Sequence, residues 1–234
     1  MTRLATLASI CIVFVLASAC FAEVIIPLKD LAGNDSGWDV ILADNVHTDV
    51  FVDAVSGSLA YVRIEIAKDF YQAPEDGVFA SNIIRFQQRL DDAHTVQVIQ
   101  ITSEAVTNLT GCDWTDYHFA VIGDEAALNK TTTDGSGFST DPFTVKTWGD
   151  VPAGWASNYA RTLDLSGGVV AAGETFYPGS QLGRLYVDAD LSGSSPAGFT
   201  LTQTPTPEPA TLGLLAIGAG AVVLRRRGAG LAAA

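Results

Sequence analysis

The stretch AYVRIEI, residues 60–66, decides the fold. Ala60, Val62, Ile64 and Ile66 alternate with Tyr61, Arg63 and Glu65, so an extended backbone puts the aliphatic side chains on one face and the others on the opposite face. A helix would scatter the same residues around its circumference. Period two recurs on either side. Within residues 46–54, Val50 and Val52 oppose His47, Asp49 and Asp53. Ile84, Phe86 and Leu90 oppose Arg85, Gln87 and Arg89, and Leu185, Val187, Ala189 and Leu191 oppose Arg184, Tyr186, Asp188 and Asp190. This is the pattern of half-buried antiparallel strands. In HTVQVIQITSEAV, residues 94–106, the phase slips: Val96 and Val98 share one face, Ile99 and Ile101 the other. Either a β-bulge or a strand buried on both sides satisfies that slip.

Turn punctuation separates the runs: AGNDSG (32–37), VSGS (55–58), APEDG (73–77), TTTDGSG (131–137), LSGG (165–168) and LSGSSPAG (191–198). Helical periodicity is absent apart from a turn or two around residues 124–130. Many short strands with Gly- and Ser-rich turns predict an all-β fold, an antiparallel two-sheet sandwich of jelly-roll or Ig-like type. Residues 131–159 are richer in Gly, Thr and Trp than in aliphatics and are expected to form an excursion on one edge.

The two ends are not ordinary fold. Residues 1–22 place Arg3 before an apolar run, residues 4–17, and then small residues up to Ala22. That order is a secretory signal peptide, with an uncleaved anchor as the alternative. The body, residues 23–203, is expected to be one extracytoplasmic domain. In it Asp and Glu outnumber Lys and Arg 25 to 9, which excludes nucleic acid as a partner, since its phosphates require clustered basic residues. Cys11 and Cys20 fall in the signal, leaving Cys112 alone, either a partly buried core residue or a thiol that pairs between molecules.

The chain closes with TPTPEPATLGLLAIGAGAVVLRRRGAG, residues 204–230, and a short tail, residues 231–234. Residues 212–224 are apolar for 13 positions, about 20 Å as a helix against a hydrocarbon core about 30 Å thick. Arg225, Arg226 and Arg227 follow and hold that end on the cytoplasmic side, with the body across the membrane. Pro205, Pro207 and Pro209 keep the approach extended. This combination resembles the PEP-CTERM sorting signal of exported Gram-negative proteins, over about residues 204–228. The resemblance implies recognition by an exosortase, a membrane protease, near Pro207, Glu208 and Pro209. It also implies a transient inner-membrane anchor, then residence at the cell surface or in an exopolysaccharide matrix. The alternative is a plain tail anchor that is never cut.

Chemistry in the body is sparse. There is no Gly-x-Ser-x-Gly elbow and no His-Glu-x-x-His, and His47, His94 and His118 are scattered. No catalytic residue, resident metal or cofactor is assigned, calcium being the one cation the acidic turns suit. Those turns carry Asp134 and Asp141 in TDGSGFSTD and Asp188 and Asp190 in VDADL. In NLTGCDWTDYHFAVI, residues 108–122, Trp114, Asp116 and His118 share a face if the segment is a regular strand, with Tyr117 opposite. A ring beside a carboxylate and an imidazole is a candidate sugar-binding set, and a capped sheet edge explains it equally. Trp38, Trp148 and Trp155 sit beside Gly-rich turns, as a glycan platform or as loop anchors. The expected function is an exported, non-enzymatic surface or matrix protein. The alternatives are a carbohydrate-binding module for exopolysaccharide and a secreted hydrolase built from distant strands.

Overall fold

A computed structural model of the chain describes residues 24–42, 48–58, 60–72, 81–179, 183–193 and 196–207. The signal segment, His47, the 73–77 turn and everything after Pro207 lie outside the described residues. The alternation of residues 60–66 is strand β4 (Tyr61–Phe70). Val62, Ile64 and Ile66 point inward as expected, and the period carries on through Lys68 and Phe70, both buried.

Two sheets face each other across one core. The first runs β1 (Ile25–Lys29), β2 (Asp35–Ile41), β5 (Asn82–Gln88), β14 (Gly198–Pro207), β7 (Trp114–Ile122), β11 (Thr162–Ser166) and β9 (Val145–Trp148). The second runs β10 (Tyr159–Ala160), β8 (Ala126–Asn129), β13 (Leu185–Ala189), β6 (Val98–Asn108), β4 and β3 (Thr48–Ser58), with β12 (Thr175–Phe176) also on β6. The fold is thus nearly all β and consistent with a sandwich. One pairing departs from the antiparallel expectation: β4 and β6 are parallel from Tyr61↔Val98 to Phe70↔Asn108. The cause is topological, because the chain leaves β4, crosses to the other sheet as β5 and re-enters in the same direction.

The slip expected near Val98 falls slightly later. Ile64 pairs with Ile101 and Glu65 with Ser103, so Thr102 is the extra residue of a bulge. Past it the inward positions become Glu104, Val106 and Asn108. A second bulge lies in β7, where Thr206 pairs with Asp116 but Pro207 with Trp114. The VSGS segment, read as a turn, belongs to β3, which runs through Ser58 before the hairpin reverses.

The helical turn expected around residues 124–130 is displaced. Residues 126–129 are β8, between β13 and β10 and buried at all four positions, which explains the apolar Ala126, Ala127 and Leu128, while Asn129 is buried with its side chain hydrogen-bonded. The helix is α1 (Lys130–Gly135), begun by the Asn129 side chain, which accepts from the Thr132 amide at 3.0 Å. The 131–159 excursion supplies this helix and then β9, the outer strand of the first sheet; β10, at the edge of the second, follows directly.

Aromatic rings fill the interior. Trp38 meets Phe199 edge-on at 5.6 Å, and Phe199 stacks on Phe86 at 4.6 Å. Tyr117 lies 5.0 Å from Phe176 and 5.2 Å from Phe119, and Phe70 lies 5.4 Å from Trp114. Cys112 is half-buried against this cluster.

Candidate functional site

Strand β14 brings the C-terminal signal to the body. Phe199, Leu201, Gln203, Pro205 and Pro207 alternate inward. Prolines lack the N–H that a ladder uses, so they are tolerated where a strand has a neighbour on one side only. That holds among the described residues: the pairing with β5 ends at Gln203↔Asn82, and beyond it β14 pairs with β7, Pro205 opposite Tyr117 and Pro207 opposite Trp114. The strand therefore runs four residues past Gln203, and Pro207 is its buried last residue. Glu208, Pro209 and the arginines 225–227 lie outside the described residues.

On the outer face, His118 bridges three strands. Its Nδ1 is 2.7 Å from the Asp164 carboxylate on β11, and its Nε2 is 2.8 Å from the Thr206 hydroxyl on β14. Imidazole and carboxylate are both well exposed. Hydroxyl, imidazole and carboxylate in that order form the skeleton of a nucleophile, base and orienting group. The hydroxyl sits on β14 and the imidazole on β7, whose backbone is engaged in ladders on both sides. The bonds strap the end of β14 to the sheet.

Trp114 is not on that face. The bulge at Thr115 turns its ring inward, where it is fully buried and its Nε1 donates to the Thr110 hydroxyl at 3.2 Å. Asp116 and His118 stay on the outer face, with Tyr117 opposite as expected. The three-residue set is thus split: Asp116 and His118 remain together and Trp114 is core. The bulge is the reason, since an extra residue flips every side chain on one side of it.

The tryptophans read as a possible platform separate similarly. Trp38 is fully buried, its Nε1 donating to the Val96 carbonyl at 2.8 Å. Trp148 packs against the core and donates to Asp134 at 3.2 Å. Trp155 alone borders a cleft, of about 380 Å³, with Gln97, Gly154, Tyr159, Asp188 and Asp190. Its ring meets Tyr159 edge-on at 4.7 Å, while the Tyr159 hydroxyl donates to Asp188 at 2.8 Å. Burial, and then that carboxylate, push the Tyr159 phenol above its ordinary value. An aromatic wall beside a carboxylate thus exists, on different residues from those the sequence pattern suggested.

Of the acidic turn residues, Asp134, Asp188 and Asp190 are engaged by the protein itself, and Asp141 is exposed. Asp134 pairs with Lys146, Asp188 also accepts from Asn129 at 2.8 Å, and Asp190 caps its own turn through the Ser192 amide at 2.9 Å. Among the described residues no group of three or more His, Cys, Asp or Glu side chains converges as a metal cradle.

The strand carrying the prolines thus ends at the first residue of the Pro-Glu-Pro run. Residues 205–227 match the PEP-CTERM protein-sorting motif. The chain carries a PEP-CTERM signal. It is accordingly an exported protein targeted to an exosortase. No curated protein and no solved structure matches the chain. No helix among the described residues is long and apolar enough to cross a membrane. The first three residues of the PEP-CTERM motif are also the last three of strand β14.

Directly behind that junction is a polar group the sequence pattern did not single out. Lys68 and Glu104 form an ion pair buried at the centre of the sandwich. Gln203 on β14 donates from Nε2 to the same Glu104 oxygen at 2.7 Å, and its Oε1 accepts from the Tyr117 hydroxyl at 2.8 Å. All four residues are buried. Lys68 was legible, because it continues the inward alternation of Ile64 and Ile66. Glu104 was not, because only the bulge at Thr102 turns it inward. Burial pushes the Lys68 amine below its ordinary value, an effect Glu104 opposes. Desolvation, followed by the nearby carboxylate, drives the Tyr117 phenol far up, so it remains a donor.

Proposed function

We propose that the chain is a non-enzymatic β-sandwich displayed at the cell surface or in an exopolysaccharide matrix. On this reading residues 1–22 are a cleaved signal peptide, residues 212–224 are a provisional inner-membrane tether, and the exosortase cuts near Pro207–Pro209. One observation carries it: the sorting motif begins inside the last strand of the folded body. The motif starts within the folded body, so on this reading what leaves the membrane is the sandwich itself. The thin, glycine-interrupted span suits temporary tethering. An epitope placed after Arg227 should disappear from the surface form and persist when the exosortase gene is deleted. Retention of the epitope on mature surface protein would overturn the proposal.

A second reading, a carbohydrate-recognition module for the matrix glycan, is favoured by the Trp155–Tyr159–Asp188 cleft. An aromatic face stacks on a pyranose ring while the carboxylate accepts from its hydroxyls. Retention on extracted matrix glycan that is lost in Trp155→Ala, with folding intact, supports it. Equal retention of both proteins removes it.

A further inference from the structure

The buried Lys68–Glu104–Gln203–Tyr117 group lies outside the residues that match the sorting motif, and a simple ion pair is a costly thing to place in a sandwich core. Its contacts bring an amine, an amide, a carboxylate and a phenol together. The Lys68 amine and the Gln203 amide nitrogen are held on one oxygen of Glu104, and the carbonyl oxygen of that amide is held by the Tyr117 hydroxyl. We propose that Lys68 and Gln203 join in an isopeptide bond that the fold makes on itself, with Glu104 carrying protons and Tyr117 stabilising the oxyanion.

The chemistry balances without an oxidant or an external reactant. The step begins once the Lys68 ammonium has passed a proton to Glu104 along the bond between them, leaving an amine beside a carboxylic acid. The free lone pair of Lys68 Nζ attacks Cδ of Gln203, forming the Cδ–Nζ bond and placing negative charge on Oε1. Tyr117 already donates to that atom, where a donor stabilises developing charge most. Glu104 passes its proton to Nε2 and takes one from Nζ. The Cδ–Nε2 bond breaks, ammonia leaves, and Glu104 ends protonated as it began. Four strands hold the four groups in register, so the reaction is intramolecular and the entropy of bringing the partners together is met by folding.

The position of the bond suggests its use. It would join β4 in one sheet to β14 in the other, two residues before the sorting motif begins. Load entering a surface protein through its C-terminal strand would then be borne by a covalent bond between the sheets as well as by ladder hydrogen bonds.

The test is intact mass and tandem mass spectrometry of the purified full chain, denatured and digested with trypsin, with terminal processing mapped in the same digest. The expected result is a branched peptide joining Lys68 to Gln203 and lighter than its two parts by one ammonia. Glu104→Gln should show the two peptides separate. Tyr117→Phe, which keeps the ring packing, should form the branch more slowly, so the proposal does not depend on Glu104→Gln folding. Unlinked Lys68 and Gln203 peptides from the native chain after prolonged incubation would overturn it. So would a branch from Lys68 to Asn82, the register partner of Gln203, or loss of one water joining Lys68 to Glu104. The result is independent of the epitope experiment, since a chain that is never sorted still forms the bond.

Discussion

Replacing Trp38 with alanine tests the placement of the core against the reading of that tryptophan as a surface platform. The ring is fully buried and edge-on to Phe199. A buried aromatic side chain removes about 150–250 Å² from water, which at about 25 cal/mol per Å² is about 4–6 kcal/mol. The alanine methyl recovers part of that. The Val96 carbonyl loses the indole donor, a further cost of about 1–3 kcal/mol if no water replaces it. Measured truncations of buried aromatics fall at about 3–5 kcal/mol, and that is the expected loss. Urea unfolding of the full chain followed by circular dichroism, with a slope of about 1–3 kcal/mol per molar, should show the midpoint falling by about 1 M or more. Trp155→Ala provides the control: its ring is partly exposed and makes one edge contact with Tyr159, so about 0.5–1.5 kcal/mol is expected. Equal shifts for the two variants, or a Trp38→Ala shift within about 0.5 kcal/mol, the range of ordinary surface changes, would refute the reasoning.

Two further outcomes follow from the fold. Burial raises the Asp35 carboxyl, but hydrogen bonds from Arg89 and the Gly37 amide and the Arg89 charge together bring it below its ordinary 3.8. A depressed carboxylate contributes stability that is present above pH 3.8 and lost as pH falls through its lower folded value. Melting temperature against pH should therefore fall less steeply on the acid side in Arg89→Met than in the native chain, and superimposable acid limbs would contradict this. Gly37 has φ +81°, and an added Cβ would lie 2.7 Å from the Thr95 Cα. Gly37→Ala should cost at least about 1–2 kcal/mol from the left-handed backbone alone, read from the same urea midpoint.

Strand identity was legible wherever period two was clean. Residues 61–66, 84–86 and 185–191 face as their alternation says, because one wet side and one apolar side leave a strand no other orientation; Ala60, expected on the apolar face, is an exposed turn residue ahead of β4. Legibility failed at extra residues. Thr115 carries no mark as a bulge, and the phase slip of residues 94–106 signals one without placing it at Thr102; yet the bulge at Thr102 turns Glu104 into the core and that at Thr115 takes Trp114 off the face of Asp116 and His118. Trp38 was ambiguous because a glycine beside a tryptophan signals a turn as well as a bulged core strand. The parallel β4–β6 pair follows from a crossover between sheets, which no local pattern encodes. The sorting signal was readable because its order of parts is linear. That it begins within a strand was not, since three prolines argue against sheet until the single-sided pairing of β14 is known.

The account's central claim is that the sandwich runs directly into a signal that is later removed. The measurement that bears on it most directly is the mass and peptide map of the protein released from the cell surface. The account predicts an N-terminus at Glu23 and a C-terminus between Pro207 and Ala210, with β14 intact. A surface form that still contains residues 212–227 would contradict it.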